Sequence, residues 1–327
     1  MKKFILTLLY FFLPVIILSI PIDFLLSNKL KELNNFAEGE NLVWNDIYKG
    51  KIDDEIYIYG SSRAWVHIDP QILEEELGRT AYNFGVDGQN FYIQNLRNQE
   101  LMTYNPKPKY IIYSLDVFTL GKSSGLYNDI QFLPYMLMND NLYDYLSSYK
   151  GYSYFDYYLP MLRYVGKGEV IKKALIHSIS WQTSKPVRVK GYKGQKKVWN
   201  DDLKKAIKKI DVFEIQTDTS LVEKFNLFLD ECKINNIEVI FVYTPEYIEG
   251  QNFVANRNEI ITLYEEIAKK HDILFLNYSD DEINVQKKYF YNASHLNKTG
   301  AELFTNKLIK DLIRTNTQTG IYNKGSL

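Results

Sequence analysis

Four short blocks hold the residues that could carry chemistry. Gly60-Ser61-Ser62-Arg63 follows a β-rich run, Glu55-Ile-Tyr-Ile-Tyr59. Asn83-Phe-Gly85-Val-Asp-Gly88 follows a second short run, and Asp116 ends a third. Late in the chain stands Asn292-Ala-Ser294-His295-Leu296-Asn297. A serine hydroxyl and an imidazole in mutual reach suit nucleophilic catalysis: the ring takes the hydroxyl proton and later gives it to the leaving group. Gly60 admits a tight strand-to-helix turn, and backbone N–H groups at a helix start favour a developing oxyanion. Gly88 would let its own N–H approach a substrate closely. Each block also has a plainer reading. Ser62 could cap a helix, His295 could cap or pack, and Gly88 could merely turn the chain. Arg63 could hold an anionic substrate group, or be packed or solvated. Asp281 and Glu282 are alternative carboxylates for His295. His67, His177 and His271 have no evident partner in the sequence and read as structural.

The elements that must position these blocks follow a βα rhythm. Asp69-Pro70 opens a helix to Leu77, with Asp as N-cap and Pro in the first helical position. A strand over 81–84 and a helix over about 89–104 follow. Further strands are expected over 110–115, 237–243 and 273–276. Leu221, Val222, Phe225, Phe228, Leu229 and Cys232 keep helical spacing, as do Ile260, Leu263, Tyr264 and Ile267. A last helix spans about 298–314. Apolar strands alternating with amphipathic helices predict an α/β fold, a three-layer, flavodoxin-like sandwich of about five parallel strands. In such a sheet ligands bind beyond the carboxyl ends of the strands, where the blocks fall. Residues 121–216 break the rhythm and are expected to form a mainly helical or irregular insertion. Tyrosines crowd its 127–164 stretch. They could stack on sugars, lie at lipid headgroup level or simply pack locally. The basic stretch from Lys185 to Lys197 could meet anionic lipid or an acidic polymer, or be a solvated loop.

Lys2 and Lys3 precede an apolar run from Phe4 to Ile20 that continues, with Asp23 interrupting, to Leu26. That length suffices to span a bilayer with some tilt. No small-residue cleavage motif follows, so an uncleaved signal anchor over 1–26 is expected rather than a removed peptide. The lysines would stay cytoplasmic, placing the rest of the chain outside the membrane. A buried core helix is the alternative. Residues 27–50 read as a juxtamembrane linker, 51–314 as the main domain and 315–327 as a frayed tail.

The order of the blocks resembles the SGNH hydrolase superfamily over roughly 51–120 and 237–314. The closer likeness is to its membrane-anchored cell-envelope branch, relatives of the lipoteichoic-acid D-alanylation protein and of polysaccharide O-acetylation proteins. The resemblance puts the nucleophile at Ser62, the catalytic histidine at His295 and oxyanion donors at Ser62 and Gly88, with Asn83 opening the second block beside the substrate. It implies an acyl transferase or esterase, with acetyl the expected group, acting on a surface polysaccharide or teichoic-acid-like polymer, with a membrane-bound O-acyltransferase as partner and no cofactor. Two positions depart from the pattern. Asn292 stands where the family has the Asp of the triad, and Asp116 stands where it has the oxyanion-hole asparagine; Ser61 takes the position of the first block's Asp. Loss of the triad carboxylate weakens a Ser–His dyad, and an ionised Asp116 would repel an oxyanion. The rival reading is therefore an inactive SGNH scaffold that serves as a glycan-binding or membrane-partner adaptor.

Composition narrows the field further. Lys and Arg number 39 against 40 Asp and Glu, which excludes nucleic-acid binding by bulk charge. One cysteine, Cys232, leaves no intrachain disulfide and no multi-thiolate metal site. Gly121-Lys-Ser-Ser124 lacks the leading glycine of a phosphate loop, Asp116 standing there. Heavy use of Lys, Asn, Ile and Tyr suggests an AT-rich bacterial gene.

Overall fold

The structure, a computed structural model, describes residues 2–123, 125–180, 185–210 and 212–322. The chain divides into two units, one of Met1–Asn45 with Ser124–Val187, the other of Asp46–Ser123 with Arg188–Leu327. In chain order the helices are α1 (Lys2–Glu32), α2 (Glu40–Tyr48), α3 (Ser62–His67), α4 (Pro70–Leu77) and α5 (Phe91–Tyr104). Then come α6 (Asp140–Leu146), α7 (Tyr154–Tyr158), α8 (Gly168–Ile179), α9 (Asp202–Ile207) and α10 (Thr219–Ile234). The last are α11 (Ile248–Phe253), α12 (Arg257–His271), α13 (Lys298–Arg314) and α14 (Asn316–Thr319). The strands are β1 (Ile56–Gly60), β2 (Ala81–Asn83), β3 (Tyr110–Leu115), β4 (Glu238–Tyr243), β5 (Leu274–Asn277), β6 (Phe290–Asn292) and β7 (His295–Leu296).

Strands β1 to β5 form one parallel sheet in the order β2-β1-β3-β4-β5, the flavodoxin-like order the alternating pattern predicts. Both faces are covered, so the strands carry no polar alternation; every residue of β1 and β3 is buried. Ile58, Ile112, Ile240 and Val242 pack with Leu73 and Leu77 of α4 and with Phe304, Leu308 and Leu312 of α13. The other face is aromatic. Phe225 of α10 lies 5.1 Å from Tyr113, 5.6 Å from Phe241 and 4.9 Å from Phe91, ring centre to ring centre. Each such fully buried side chain contributes about 1.5–3 kcal/mol of transfer energy. Helix α4 starts as its residues dictate, the Asp69 carboxylate accepting the Gln71 N–H at 3.0 Å, and ends on Gly78 in the left-handed region.

Three expectations are corrected here. The linker of 27–50 is folded: α1 continues to Glu32, α2 follows, and Leu30, Phe36, Val43 and Trp44 are buried. The insertion is split, 124–187 belonging with the N-terminal residues and 188–216 with the sheet unit. The tail is not frayed up to Tyr322: the Tyr110 hydroxyl donates to the Gly320 carbonyl at 2.8 Å, and Ile321 is wholly buried. Residues 323–327 of that tail lie outside the described residues.

In the N-terminal unit, Trp44 packs on Phe132 at 5.8 Å and donates from Nε1 to Gln131 Oε1 at 3.0 Å. Helix α1 is long and apolar enough to cross a membrane or to serve as a signal sequence, with mean hydropathy 2.0 over its most apolar 18-residue stretch within Tyr10–Glu32. Most of its apolar side chains up to Leu25 are exposed, unlike those of a core helix.

Candidate active site

The turn from β1 into α3 is as abrupt as a glycine permits. Gly60 has φ +139°, and a Cβ there would run into the Ser114 carbonyl oxygen of β3. Ser61 then caps α3, and Ser62 falls in its first turn, where backbone N–H groups have no intrahelical acceptor. At the other end of the chain, β6 and β7 form a tight antiparallel hairpin in which Asn292 faces His295. The hairpin brings the ring to the serine: Ser62 Oγ lies 2.7 Å from His295 Nε2. On the far side of the ring, Asn292 Oδ1 lies 2.9 Å from His295 Nδ1 and also accepts the Ser294 N–H at 3.0 Å. That second bond fixes which end of the amide faces the ring. Nδ1 therefore carries the proton, and Nε2 offers its lone pair to the Ser62 hydroxyl. Ser62, Asn292 and His295 are all half-buried, open on one side.

The ring's surroundings disfavour its cation. Burial, then the positive charges of Arg63 and Lys197, push the His295 pKa down to about 3. Lys197 sits over the Tyr291 ring at 5.2 Å, and Tyr291 stacks on His295 at 5.3 Å and 9°. Asn292 brings no negative charge to offset this, so the imidazole is neutral over the physiological range.

A second histidine, which the sequence left as structural, supports the first. His67 Nε2 accepts the N–H of Leu296, the residue after His295, at 3.0 Å. Its Nδ1 lies 2.9 Å from Thr244 Oγ1, which also accepts Arg63 Nε at 3.0 Å. Burial, then Arg63 and His295, hold the His67 pKa well below its usual value, keeping the accepting lone pair free. Thr244 and Glu246 follow β4, and reading the carboxyl end of that strand as the others were read would have found them.

Three expected roles are corrected by position. Arg63 does not face a substrate: it is 3% exposed, its Nη1 lies 3.0 Å from Glu246 Oε1, and its guanidinium lies 4.6 Å over the Tyr243 ring. Asn83 is wholly buried, with Nδ2 donating to the Ala64 and Ile68 carbonyls at 2.9 Å each and Oδ1 accepting the Gly85 N–H at 3.0 Å. It ties α3 to the second block and has no atom left for a ligand. Asp116 is 2% exposed; its carboxylate accepts the Ser61 hydroxyl and, at 2.8 Å, the Phe118 N–H. Burial pushes its pKa up, while Arg63 and these donors pull the other way. It is thus turned into Ser61 and away from an oxyanion. Ser61 and Asp116, which follow the neighbouring strands β1 and β3, are thus bonded to each other.

Beside Ser62 opens a cleft of about 540 Å³, lined among others by Ser61, Gly88, Gln89, Asn90, Phe118 and Lys122. Gly88 has φ +66°. The opposite wall is Phe213 to Gln216, held down by a Lys122 N–H to Gln216 carbonyl bond of 2.8 Å and by Asn256, whose amide brackets Ile215 at 3.0 and 2.8 Å. The basic stretch is embedded only in part: Arg188 is 3% exposed and stacks on Trp65 at 4.2 Å, and Lys190 bridges Asp54 and Glu74, whereas Lys196 and Lys197 are exposed. No cluster of metal-ligating side chains occurs among the described residues.

No family model matches the sequence, and no curated protein does. Among solved structures, the chain is similar to a platelet activating factor from Streptococcus pneumonia at 13% identity and TM-score 0.39, covering 84% of this chain and 90% of that one. It is similar to the acetyl xylan esterase AlAXEase at 12% identity and TM-score 0.39, covering 79% and 99%. A lipolytic protein of the G-D-S-L family from Desulfitobacterium hafniense matches at 13% identity and TM-score 0.36, covering 78% and 98%.

Proposed function

We propose that this chain is a membrane-anchored, SGNH-like serine acyl-transfer enzyme that moves or removes a small acyl group, acetyl in the first instance, on a cell-surface polysaccharide. The reading rests on one observation, the Ser62–His295–Asn292 array at the mouth of a cleft. His295 Nε2 takes the Ser62 proton as Oγ attacks the ester carbonyl. The N–H groups of Ser62 and Gly88 hold the oxyanion, and His295 returns the proton to the departing alkoxide. Attack on acyl-Ser62 by water, its proton passing to His295 and then to Ser62, gives hydrolysis; attack by a sugar hydroxyl gives transfer. Phe118 and Phe213 offer aromatic faces in the cleft and Lys122 and Gln89 polar ones, a mixture suited to a sugar ring. Helix α1 would hold the enzyme at the outer face of the cell membrane, where a membrane-bound O-acyltransferase would supply the acyl group.

One observation favours a second reading. A neutral Asn292 beside an imidazole pushed down to about 3 makes a weak base, as an SGNH scaffold retained for glycan binding or for a membrane partner would carry. Fluorophosphonate labelling of the full chain separates the two. Labelling that Ser62→Ala abolishes supports the enzyme. No labelling, with Ser62→Ala still functional in cells, refutes it in favour of the adaptor.

A further inference from the structure

In the N-terminal unit a second segment of the chain is fixed to α1. Exposed apolar side chains run along it as far as Phe24 and Leu25, 70% and 58% exposed. At that level the helix is gripped from one side. Asp23 accepts Arg163 Nη1 and Nη2 at 2.8 and 2.7 Å and the Met161 N–H at 2.6 Å. One turn on, Ser27 Oγ lies 2.8 Å from the Tyr164 hydroxyl. The charged pair is 1% and 2% exposed, so this is a fixed joint that sets residues 161–164 beside the last apolar turn of α1. The chain around that joint carries Tyr154, Phe155, Leu159 and Val165, with exposures of 55%, 57%, 44% and 72%.

We propose that residues 154–165 seat in the headgroup layer of the lipid bilayer, forming a collar around the exit of α1. The inference rests on the reading of α1 as a membrane anchor. Two observations select a lipid surface over a protein partner. The segment that carries these side chains is tied by the joint to the last exposed apolar turn of a helix of spanning length. It also combines aromatic and aliphatic side chains, a tyrosine among them, as the water–hydrocarbon boundary favours. Asp23 and Arg163 are tolerated at this level because each satisfies the other inside the unit. The collar is bounded. His177 of α8 lies 3.6 Å from Glu32, nine residues past Asp23, or about 13.5 Å along the axis at about 1.5 Å per residue. A headgroup layer is only about 5–8 Å deep on each side. Ile179, 80% exposed, therefore stands clear of lipid in spite of its apolar side chain.

The test uses the full chain in vesicles of phosphatidylcholine and phosphatidylglycerol in equal parts. Cys232 is buried and its thiol is pushed up to about 12, so it resists labelling. Phe155→Cys, Val165→Cys, Phe12→Cys and Ile179→Cys each receive an environment-sensitive fluorophore. Spin-labelled lipids then quench either at the headgroup or deep in the acyl chains. The expected result is loss of emission at 155 and 165 to the headgroup label, at 12 to the deep label and at 179 to neither. Deep quenching at 12 with none at 155 or 165 overturns the collar and leaves the anchor standing. No quenching at 12 removes the anchor, and the collar with it. Quenching at 179 as strong as at 165 means indiscriminate apolar adhesion and also overturns the proposal.

Discussion

Replacing Asn292 by Asp places a carboxylate where an amide oxygen now lies 2.9 Å from His295 Nδ1. The charge centres would stand about 4 Å apart, and at an effective dielectric of about 20 their attraction is about 4 kcal/mol, or about 3 pKa units. Desolvation of a half-buried carboxylate takes back part of this; the Ser294 N–H, 3.0 Å from the same oxygen, gives some support. The His295 pKa should therefore climb from about 3 toward its ordinary range. In serine proteases the opposite change, Asp to Asn, costs about 10⁴ in kcat because the wrong tautomer results. Here Asn292 already selects the right tautomer, so only the electrostatic part is to be regained, about 10² in kcat/KM. The assay is p-nitrophenyl acetate hydrolysis by the full chain as a function of pH. The wild-type acid limb should fall near pH 3, and that of the variant should move up as its plateau rises. An unchanged plateau and limb, with circular dichroism and melting preserved, would refute the role given to Asn292.

Three further outcomes follow from the same geometry. His67 and His295 have folded pKa values below the unfolded value of about 6.5, so their neutral burial stabilises the fold above that pH; the stability is lost as pH falls, by about 1.4 kcal/mol per pH unit for each ring, and urea midpoints should show a slope that His295→Asn reduces by one ring's share. His67→Leu orphans the Leu296 N–H, which should cost about 1–3 kcal/mol in thermal unfolding and lower kcat with KM little changed. Asp23→Leu leaves Arg163 charged and buried, a loss of about 3–5 kcal/mol in the N-terminal unit; Asp23→Leu with Arg163→Leu should recover most of it, read by protease resistance of residues 124–187 in detergent.

The sheet was legible because its signals are local. Apolar runs of strand length, helical stripes and the Asp69-Pro70 start each depend on near neighbours, and α4 and α13 fall where the residues place them. The pairing of Ser62 with His295 was legible for a different reason: both stand at strand or hairpin ends on the one edge of a parallel sheet where ligands can enter. What only the tertiary structure decided is how each polar side chain spends its hydrogen bonds. Arg63 and Asn83 have the composition of ligand-binding residues, yet Glu246, Thr244 and three backbone groups consume them, from partners up to 183 positions away. His67 reads as an isolated ring until the fold brings Leu296 to it, and Arg188 and Lys190 read as loop charges until Trp65 receives the one and Asp54 and Glu74 the other. Residue type sets what a side chain can bond; burial and the chain's return path set what it does bond, and those are properties of the folded whole.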